Sequence, residues 1–280
     1  MTNTLKTWIY LIILAALMMT VGQALGGRQG LLLGFILALV VNFFSYFYSD
    51  KLVLSMYHAA LIEGVDPYGL QDTVIKLSKR FSIPKPNVYI IPSETPNAFA
   101  TGRGPGYASI AATEGILRLL NPEELEGVLA HELSHVRHKD TLIMAIAATL
   151  GTVIMFIANS FRWLAVLGDT RERNGRSNAV AGLFLAFLAP IAASLIQLSI
   201  SRSREFEADQ AAAGVTQNPQ ALASALWKIH NYSQAMPMPA THSTAHMFII
   251  NPLLSGGINN LFSTHPPVQE RIRKLIGRTL

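Results

Sequence analysis

Residues 121–135 read NPEELEGVLAHELSH, and this stretch indicates both a helix and a metal site. Asn121 is a favourable N-cap residue, and Pro122 suits the first position of a helix. His131 and His135 are four residues apart, so a helix places both imidazoles on one face. Two imidazole nitrogens on one helix face can bind a single zinc ion. The stretch therefore predicts a buried helix that carries two metal ligands.

Glu132 lies between the two histidines and completes the pattern H-E-x-x-H. A carboxylate beside a zinc ion can act as the general base that activates water for hydrolysis. The alternative is a pair of histidines on an ordinary buried helix. That alternative is weak, because a glutamate on an apolar face requires a partner. We interpret the pattern as a site for hydrolysis of peptide bonds.

A catalytic zinc ion needs a third protein ligand, and the chain contains no cysteine. The stretch from 201 to 209 offers Glu205 and Asp209, which are four residues apart and share a helix face. We assign Glu205 as the third ligand and Asp209 as the carboxylate that orients a ligand histidine. The alternative is a solvated start of a helix with Arg–Glu pairs.

His138 is a second candidate for the third ligand, because it shares the helix face of His131 and His135. However, three ligands from one straight helix would span two turns and crowd the position that water needs. We therefore interpret His138 as a histidine at or near the surface.

The composition indicates a membrane protein. The chain has 280 residues, of which 50% are hydrophobic and 14% are charged, whereas a soluble domain carries about 25% charged residues. The net charge of +5 favours contact with anionic lipid headgroups over nucleic acid, which we do not expect as a partner. Four apolar segments are long enough to cross a bilayer, and they cover about residues 8–26, 30–48, 141–161 and 179–200.

Alternatives stay open for these segments. The first can be interpreted as a signal peptide that ends near Gly26. The third and fourth can be buried helices that do not fully cross, since Pro190 interrupts the fourth. Lys6 favours a cytoplasmic amino end. Two crossings before His135 and two more before Glu205 then place both ligands on the cytoplasmic side.

The predicted fold is a mainly α membrane protein with a small β-sheet. Strands are expected near 88–91, 97–102 and 107–112, and amphipathic helices at 72–81 and 219–232. An edge of this sheet can align an extended peptide substrate, although a purely structural sheet is the alternative. The predicted parts are a transmembrane hairpin (1–49), a catalytic part with the sheet and zinc helix (50–140), a second pair of membrane helices with a basic loop (141–200), and a catalytic part with the third ligand and a terminal helix (201–280).

Several motifs in the same order resemble the HtpX family of integral-membrane zinc metalloproteases, which is distantly similar to the CAAX proteases of the Ste24 type. The resemblance covers nearly the whole chain. Its matching parts are the N-terminal hairpin, Asn97-Ala98-Phe99-Ala100-Thr101-Gly102, His131 to His135, Ser201 to Asp209, and Thr264-His265-Pro266-Pro267 with Glu270-Arg271.

The resemblance implies a gluzincin-type peptidase domain with one Zn²⁺ per chain, held by His131, His135 and Glu205, and with Glu132 as the base. It also implies that His265 and Arg271 stabilise the oxyanion. The substrate-aligning strand implied by the resemblance consists of Asn97, Ala98, Phe99 and Ala100.

The family further implies a multi-pass protein of the bacterial inner membrane with its site on the cytoplasmic side. Its substrates are expected to be membrane proteins or unfolded polypeptides, in quality control and the stress response. The sequence leaves the oligomeric state open. Rival functions are a prenyl-protein endopeptidase, a zinc transporter and an inactive scaffold. Few polar residues lie in the spans, which argues against transport, and the intact Glu132 argues against an inactive scaffold.

Overall fold

A computed structural model describes residues 3–168, 202–235, 249 and 266–278. The fold is mainly helical, with one small sheet. In chain order the elements are α1 (Asn3–Met56), β1 (Ala60–Leu61), α2 (Leu70–Phe81), β2 (Asn87–Ile91), β3 (Ala98–Thr101), β4 (Ser109–Thr113), α3 (Glu114–Leu119), α4 (Pro122–Arg137), α5 (Asp140–Gly168), α6 (Arg202–Thr216), α7 (Pro219–Ala235) and α8 (Val268–Ile276).

Helix α1 is a hairpin of two helical arms. The backbone leaves helical geometry at Gly26 and Gly27, and Gly27 has φ 57° and ψ −140°, a conformation that glycine adopts readily. The arms approach so closely that a Cβ on Gly22 would overlap the Gly30 carbonyl oxygen. Small residues permit such backbone contact between membrane helices. The two arms occupy the region for which the sequence predicts a transmembrane hairpin (1–49) and extend beyond it to Met56.

Three helical segments are long and apolar enough to span a bilayer: Asn3–Ala24, Gly26–Met56 and Asp140–Ile157. The second arm continues about two turns beyond its predicted end at residue 48. Helix α5 likewise continues through residues 162–168, which the sequence assigned to a basic loop. The fourth predicted span, 179–200, lies outside the described residues.

The sheet has four strands in the order β1-β2-β4-β3. Strands β2 and β4 are parallel, whereas β1 and β3 pair antiparallel with their neighbours and form the two edges. Three strands lie within two residues of their predicted positions. Strand β1 was not predicted, because its two residues, Ala60 and Leu61, are exposed and carry no alternating pattern.

The sheet lies between α2, α4 and α7 on one side and α1 and α5 on the other. One face packs on a core that includes Leu77 of α2, Leu129 and Leu133 of α4, and Leu226 of α7. The opposite face presents Phe99 to residues at the end of α1 and to α5. Strand β3 is therefore held between the helix that carries the H-E-x-x-H pattern and the ends of two candidate spans.

Helix α4 begins with a full capping box. The Asn121 side chain accepts a hydrogen bond from the Glu124 backbone, and the Glu124 carboxylate accepts one from the Asn121 N–H. Glu124 also accepts hydrogen bonds from Ser224 and Lys228 of α7. Its pKa lies below its usual value, because these contacts outweigh the cost of burial. The cap thus fixes the start of α4 and its contact with α7 together.

Candidate metal centre

Helix α4 presents His131, Glu132 and His135 to the interior, where their exposed fractions are 1%, 5% and 4%. The two histidine rings meet edge to face, with centroids 4.8 Å apart. Their Nε2 atoms lie 3.2 Å from each other. The i, i+4 spacing therefore directs both Nε2 atoms to one point beside the helix.

Helix α6 brings Glu205 to the same point. One Glu205 oxygen lies 3.7 Å from His131 Nε2 and the other lies 3.5 Å from His135 Nε2. Within the described residues, these three side chains form one group whose ligand atoms all lie within 4.8 Å of one another. Tetrahedral zinc with bonds of about 2.0–2.1 Å separates its ligand atoms by about 3.3 Å. The donor set and its spacing fit such an ion.

On the far side of His131, its Nδ1 lies 3.0 Å from Asp209 Oδ1. Arg271 of α8 holds this carboxylate with two hydrogen bonds, from Nε at 2.9 Å and from Nη2 at 2.7 Å. Arg271 also donates to the Ile249 carbonyl at 2.8 Å and is fully buried. A carboxylate at Nδ1 keeps the Nε2 lone pair of a neutral imidazole directed at the metal position.

The charges behind His131 stabilise each other. Burial alone would raise the pKa of Asp209, but Arg271 outweighs burial and holds this pKa well below its usual range. Burial alone would lower the pKa of Arg271, but Asp209 and the nearby glutamates keep it above its usual range. Both groups are therefore charged at neutral pH and form a buried ion pair.

His135 has its own carboxylate, because its Nδ1 lies 3.2 Å from Asp140 Oδ2. The other oxygen of Asp140 accepts a hydrogen bond from Asn3 Nδ2 at 2.6 Å and lies 3.1 Å from Arg204 Nη1. Asp140 and Asn3 were not predicted from the sequence as parts of the site. The only sequence signal for Asp140 was a carboxylate five residues after a ligand histidine.

The surroundings of His135 favour its protonated form in the metal-free site. Burial lowers the pKa of His135, but the hydrogen bond to Asp140 and the charges of Glu205 and Glu132 outweigh burial. Together they raise this pKa to about 9. A metal ion must therefore displace a proton from His135 when it binds near neutral pH.

Glu132 connects α4 to the edge strand. Its Oε2 accepts a hydrogen bond from the Ala100 N–H at 2.9 Å. Burial raises the pKa of Glu132 above its usual value, although the two histidines oppose this effect. A base with a raised pKa is closer to the operating pH of a hydrolase.

The predicted substrate strand is β3, preceded by Asn97. The Asn97 carbonyl accepts from the Thr113 N–H at 2.9 Å, whereas the Ala100 N–H points away from β4 toward Glu132. Asn97 is buried, and its Nδ2 has no hydrogen-bond partner among residues 3–168, 202–235, 249 and 266–278. Ala98, Phe99 and Ala100 are also buried, so the edge that faces Glu132 is not open to solvent.

Other predicted residues lie at the margin of the centre or outside the described residues. His138 is exposed, and its Nδ1 lies 3.3 Å from Ser134 Oγ, so it takes no part in the ligand group. Glu207, next to the ligands of α6, is exposed. His265 lies outside the described residues. Arg271 binds Asp209, and its Nη2 and Nη1 also lie 3.4 Å from His131 Nε2 and 3.7 Å from Glu205 Oε2, respectively.

Comparison with known proteins identifies the family. The profile described as "Peptidase family M48" matches residues 68–279. A protease HtpX homolog of Desulforapulum autotrophicum is 49% identical over 277 residues, which cover 98% of this chain and 90% of that protein. A protease HtpX homolog of Paraburkholderia phytofirmans is 48% identical over 280 residues, covering 99% and 97%.

The fold is also similar to a solved structure. The crystal structure of S. mikatae Ste24p aligns with a TM-score of 0.52 and 19% identity, covering 97% of this chain and 67% of that chain. This likeness concerns the fold alone. The family match and the sequence relatives, together with the buried His-His-Glu group and the candidate spans, show that the chain belongs to peptidase family M48 and is a membrane metalloprotease of the HtpX type.

Proposed function

We propose that this metalloprotease binds a single zinc ion through His131, His135 and Glu205 and hydrolyses peptide bonds with Glu132 as general base. The observation that carries the proposal is the convergence of three ligand atoms at the spacing of a tetrahedral zinc site. One carboxylate behind each histidine directs its Nε2 lone pair inward.

When bound, zinc supplies Lewis acidity, which polarises the scissile carbonyl and lowers the pKa of water. Glu132 takes the proton of the attacking water and later delivers it to the leaving amine. One oxygen of Glu132 is held by the Ala100 N–H, which leaves the other oxygen to exchange the proton. The hydrogen bond from the Ala100 N–H therefore fixes the distance between the base Glu132 and strand β3.

Strand β3 supports substrate alignment. Its Ala100 N–H points away from the sheet and donates to Glu132, so an extended peptide that adds to this edge by other main-chain hydrogen bonds would lie beside the base. The Asn97 amide supplies a buried donor that can bind a substrate carbonyl. Because β3 is buried, a substrate must displace the cover of this edge before it can bind.

The oxyanion roles expected from the resemblance divide between two residues. Arg271 donates to Asp209 and Ile249 and also lies 3.4 Å from His131 Nε2 and 3.7 Å from Glu205 Oε2, so we propose it as a residue that positions His131 and Glu205. His265 stays a predicted oxyanion donor.

The charge distribution supports an inner-membrane location with the metal site on the cytoplasmic side. Lys6, Lys51 and Lys139 lie near the span ends on the catalytic side, whereas the turn between the two arms of α1 carries Arg28 alone. Positive residues prefer the cytoplasmic side. Because the site lies beside the spans, we propose juxtamembrane segments and unfolded polypeptides as substrates, in membrane-protein quality control. Labelling of single cysteines introduced at Glu63 and Arg28 tests this topology, since the chain has no native cysteine.

The first test combines zinc analysis with cleavage of casein by the purified full chain in detergent. Glu132→Gln is expected to retain one zinc and to cleave about 10²–10⁴-fold more slowly. Glu205→Ala is expected to lose zinc. Glu207→Gln, an exposed neighbour on α6, is the control and should match wild type. Normal cleavage by Glu132→Gln would refute the base, and full zinc in Glu205→Ala would refute the third ligand.

A further inference from the structure

A cavity of about 420 Å³ lies beside the metal centre, where the first turn of α1 meets the end of α4. Its cationic lining comes from Arg103, Lys139 and Arg204, and His138 adds a further donor. We propose that this cavity binds the phosphate of an anionic phospholipid headgroup. Such a site goes beyond the proposed hydrolysis, because no ligand or base of the metal centre lines it.

The balance of charge in the cavity is positive. Asp140 neutralises part of the Arg204 charge at 3.1 Å. In the part of the chain that the structure describes, neither Arg103 nor Lys139 makes an ion pair with a carboxylate. Two uncompensated cations therefore face the cavity, and a phosphate is the anion that guanidinium and ammonium groups bind best at a membrane surface.

The position of the cavity matches the depth of lipid headgroups. Helix α1 begins at Asn3 and α5 begins at Asp140, so two candidate spans start at the cavity wall. Trp8 and Tyr46 line the same cavity, and such rings prefer the membrane–water interface. The positive dipole ends of both helices also point at this level. A lipid phosphate is thus the anion available where the cavity opens.

One of the cations is held in place before any ligand binds. The Arg103 guanidinium lies 3.8 Å from the centroid of the Tyr107 ring and 5.1 Å from that of Phe47, two rings of an adjoining cavity that Arg103 also lines. Arg103 therefore loses less side-chain entropy on binding than an unrestrained arginine would. The Lys139 side chain is exposed at the other part of the lining.

Native mass spectrometry of the zinc-loaded full chain in detergent tests the site, with phosphatidylglycerol and phosphatidylcholine as probes. Because each cation near an anionic headgroup contributes about fivefold, Arg103→Gln combined with Lys139→Gln should weaken phosphatidylglycerol binding about thirtyfold. Lys79→Gln combined with Arg273→Gln is the matched control. It removes one lysine and one arginine from exposed positions outside the cavity.

The proposal holds if wild type and the control pair retain phosphatidylglycerol, the cavity pair loses it, and phosphatidylcholine does not bind. Equal retention by the cavity pair overturns it. If inorganic phosphate at equal concentration displaces phosphatidylglycerol completely, the claim that the ligand is a lipid headgroup is overturned. If the cavity pair does not fold, the exposed Lys139→Gln change alone should weaken binding about fivefold. Zinc content and casein cleavage are recorded for every variant, so failure of the hydrolytic site is distinguished from failure of the lipid site.

Discussion

The two ligand histidines of α4 have similar burial, but opposite parts of the molecule hold them. His131 is backed by Asp209 and Arg271, which belong to helices of the catalytic part. His135 is backed by Asp140, the first residue of a candidate span, and Asp140 is bound by Asn3 at the start of another. His131 is therefore positioned from the core of the catalytic part, whereas His135 is positioned from the ends of two candidate spans.

The two supports also differ in the cost of their loss. Asp209 and Arg271 form a fully buried ion pair, in which removal of one charge strands the other. Loss of Asp140 should destabilise the fold less, because its partner Arg204 is partly exposed and its partner Asn3 is neutral. We therefore expect loss of Arg271 mainly to lower the free energy of unfolding, and loss of Asp140 mainly to weaken metal binding.

The largest effect is expected from Arg271→Met, which leaves Asp209 buried without its partner. Breaking a buried pair in this way costs about 3–5 kcal/mol, so the free energy of unfolding should fall by this amount. Denaturant unfolding of the metal-free protein in detergent measures it. Arg273→Met, an exposed change on the same helix, is the control. Equal stability of the two variants would contradict the core role of Arg271.

Asp140→Asn should affect the metal more than the fold. Loss of a carboxylate behind a ligand histidine typically weakens metal binding about 10–100-fold. Zinc competition with a chromophoric chelator measures this affinity. The exposed change Asp72→Asn on α2 is the control and should bind zinc as wild type does. Unchanged affinity in Asp140→Asn would show that His135 needs no support from the membrane side.

Acidity should weaken zinc binding through His135. Because its pKa in the metal-free protein is about 9, binding below that pH displaces one proton, and affinity should fall about tenfold for each pH unit. The same raised pKa stabilises the metal-free fold below the unfolded value of about 6.5, and this stability is lost as the pH rises through about 9. Calorimetry in buffers of different ionisation enthalpy counts the protons. No proton release at pH 7.5 would refute this protonation state.

The smallest effect is expected from Asn3→Ala. Its hydrogen bond to Asp140 is partly exposed, and such a bond contributes about 0.5–1.5 kcal/mol. Zinc affinity should fall by less than about tenfold, with the same chelator assay as the measure. Thr4→Ala, an exposed neighbour, is the control. If Asn3→Ala lowered zinc affinity as much as Asp140→Asn does, the contact from α1 would matter as much for His135 as the Asp140 carboxylate itself.

Local sequence rules predicted the parts of the site that one helix can define. The Asn121 cap, the placement of His131 and His135 on one face, and the shared face of Glu205 and Asp209 all follow from helix geometry. The three longer strands also lay close to their predicted positions; β-branched and aromatic residues mark β2, and a glycine-rich turn follows β3. Residue spacing within single helices and strands was therefore enough to predict the helix cap, the shared helix faces and the strand positions.

Contacts between distant segments could not be predicted in the same way. Asn3 meets Asp140 across more than a hundred residues, and no periodicity connects them. Asp140 reaches His135 because the chain reverses at Lys139 in a left-handed conformation that lysine rarely adopts. Similarly, the guanidinium of Arg271 binds Asp209, a contact that depends on how α8 packs on α6.

The separation of the ligands along the chain determines when the protease can become active. A ribosome releases α4 before α6 and α8, so His131 and His135 emerge without Glu205, Asp209 or Arg271. Two imidazoles without the third ligand do not complete a catalytic zinc site. With the proposed ligand set, the first spans are therefore synthesised before the zinc site can be completed.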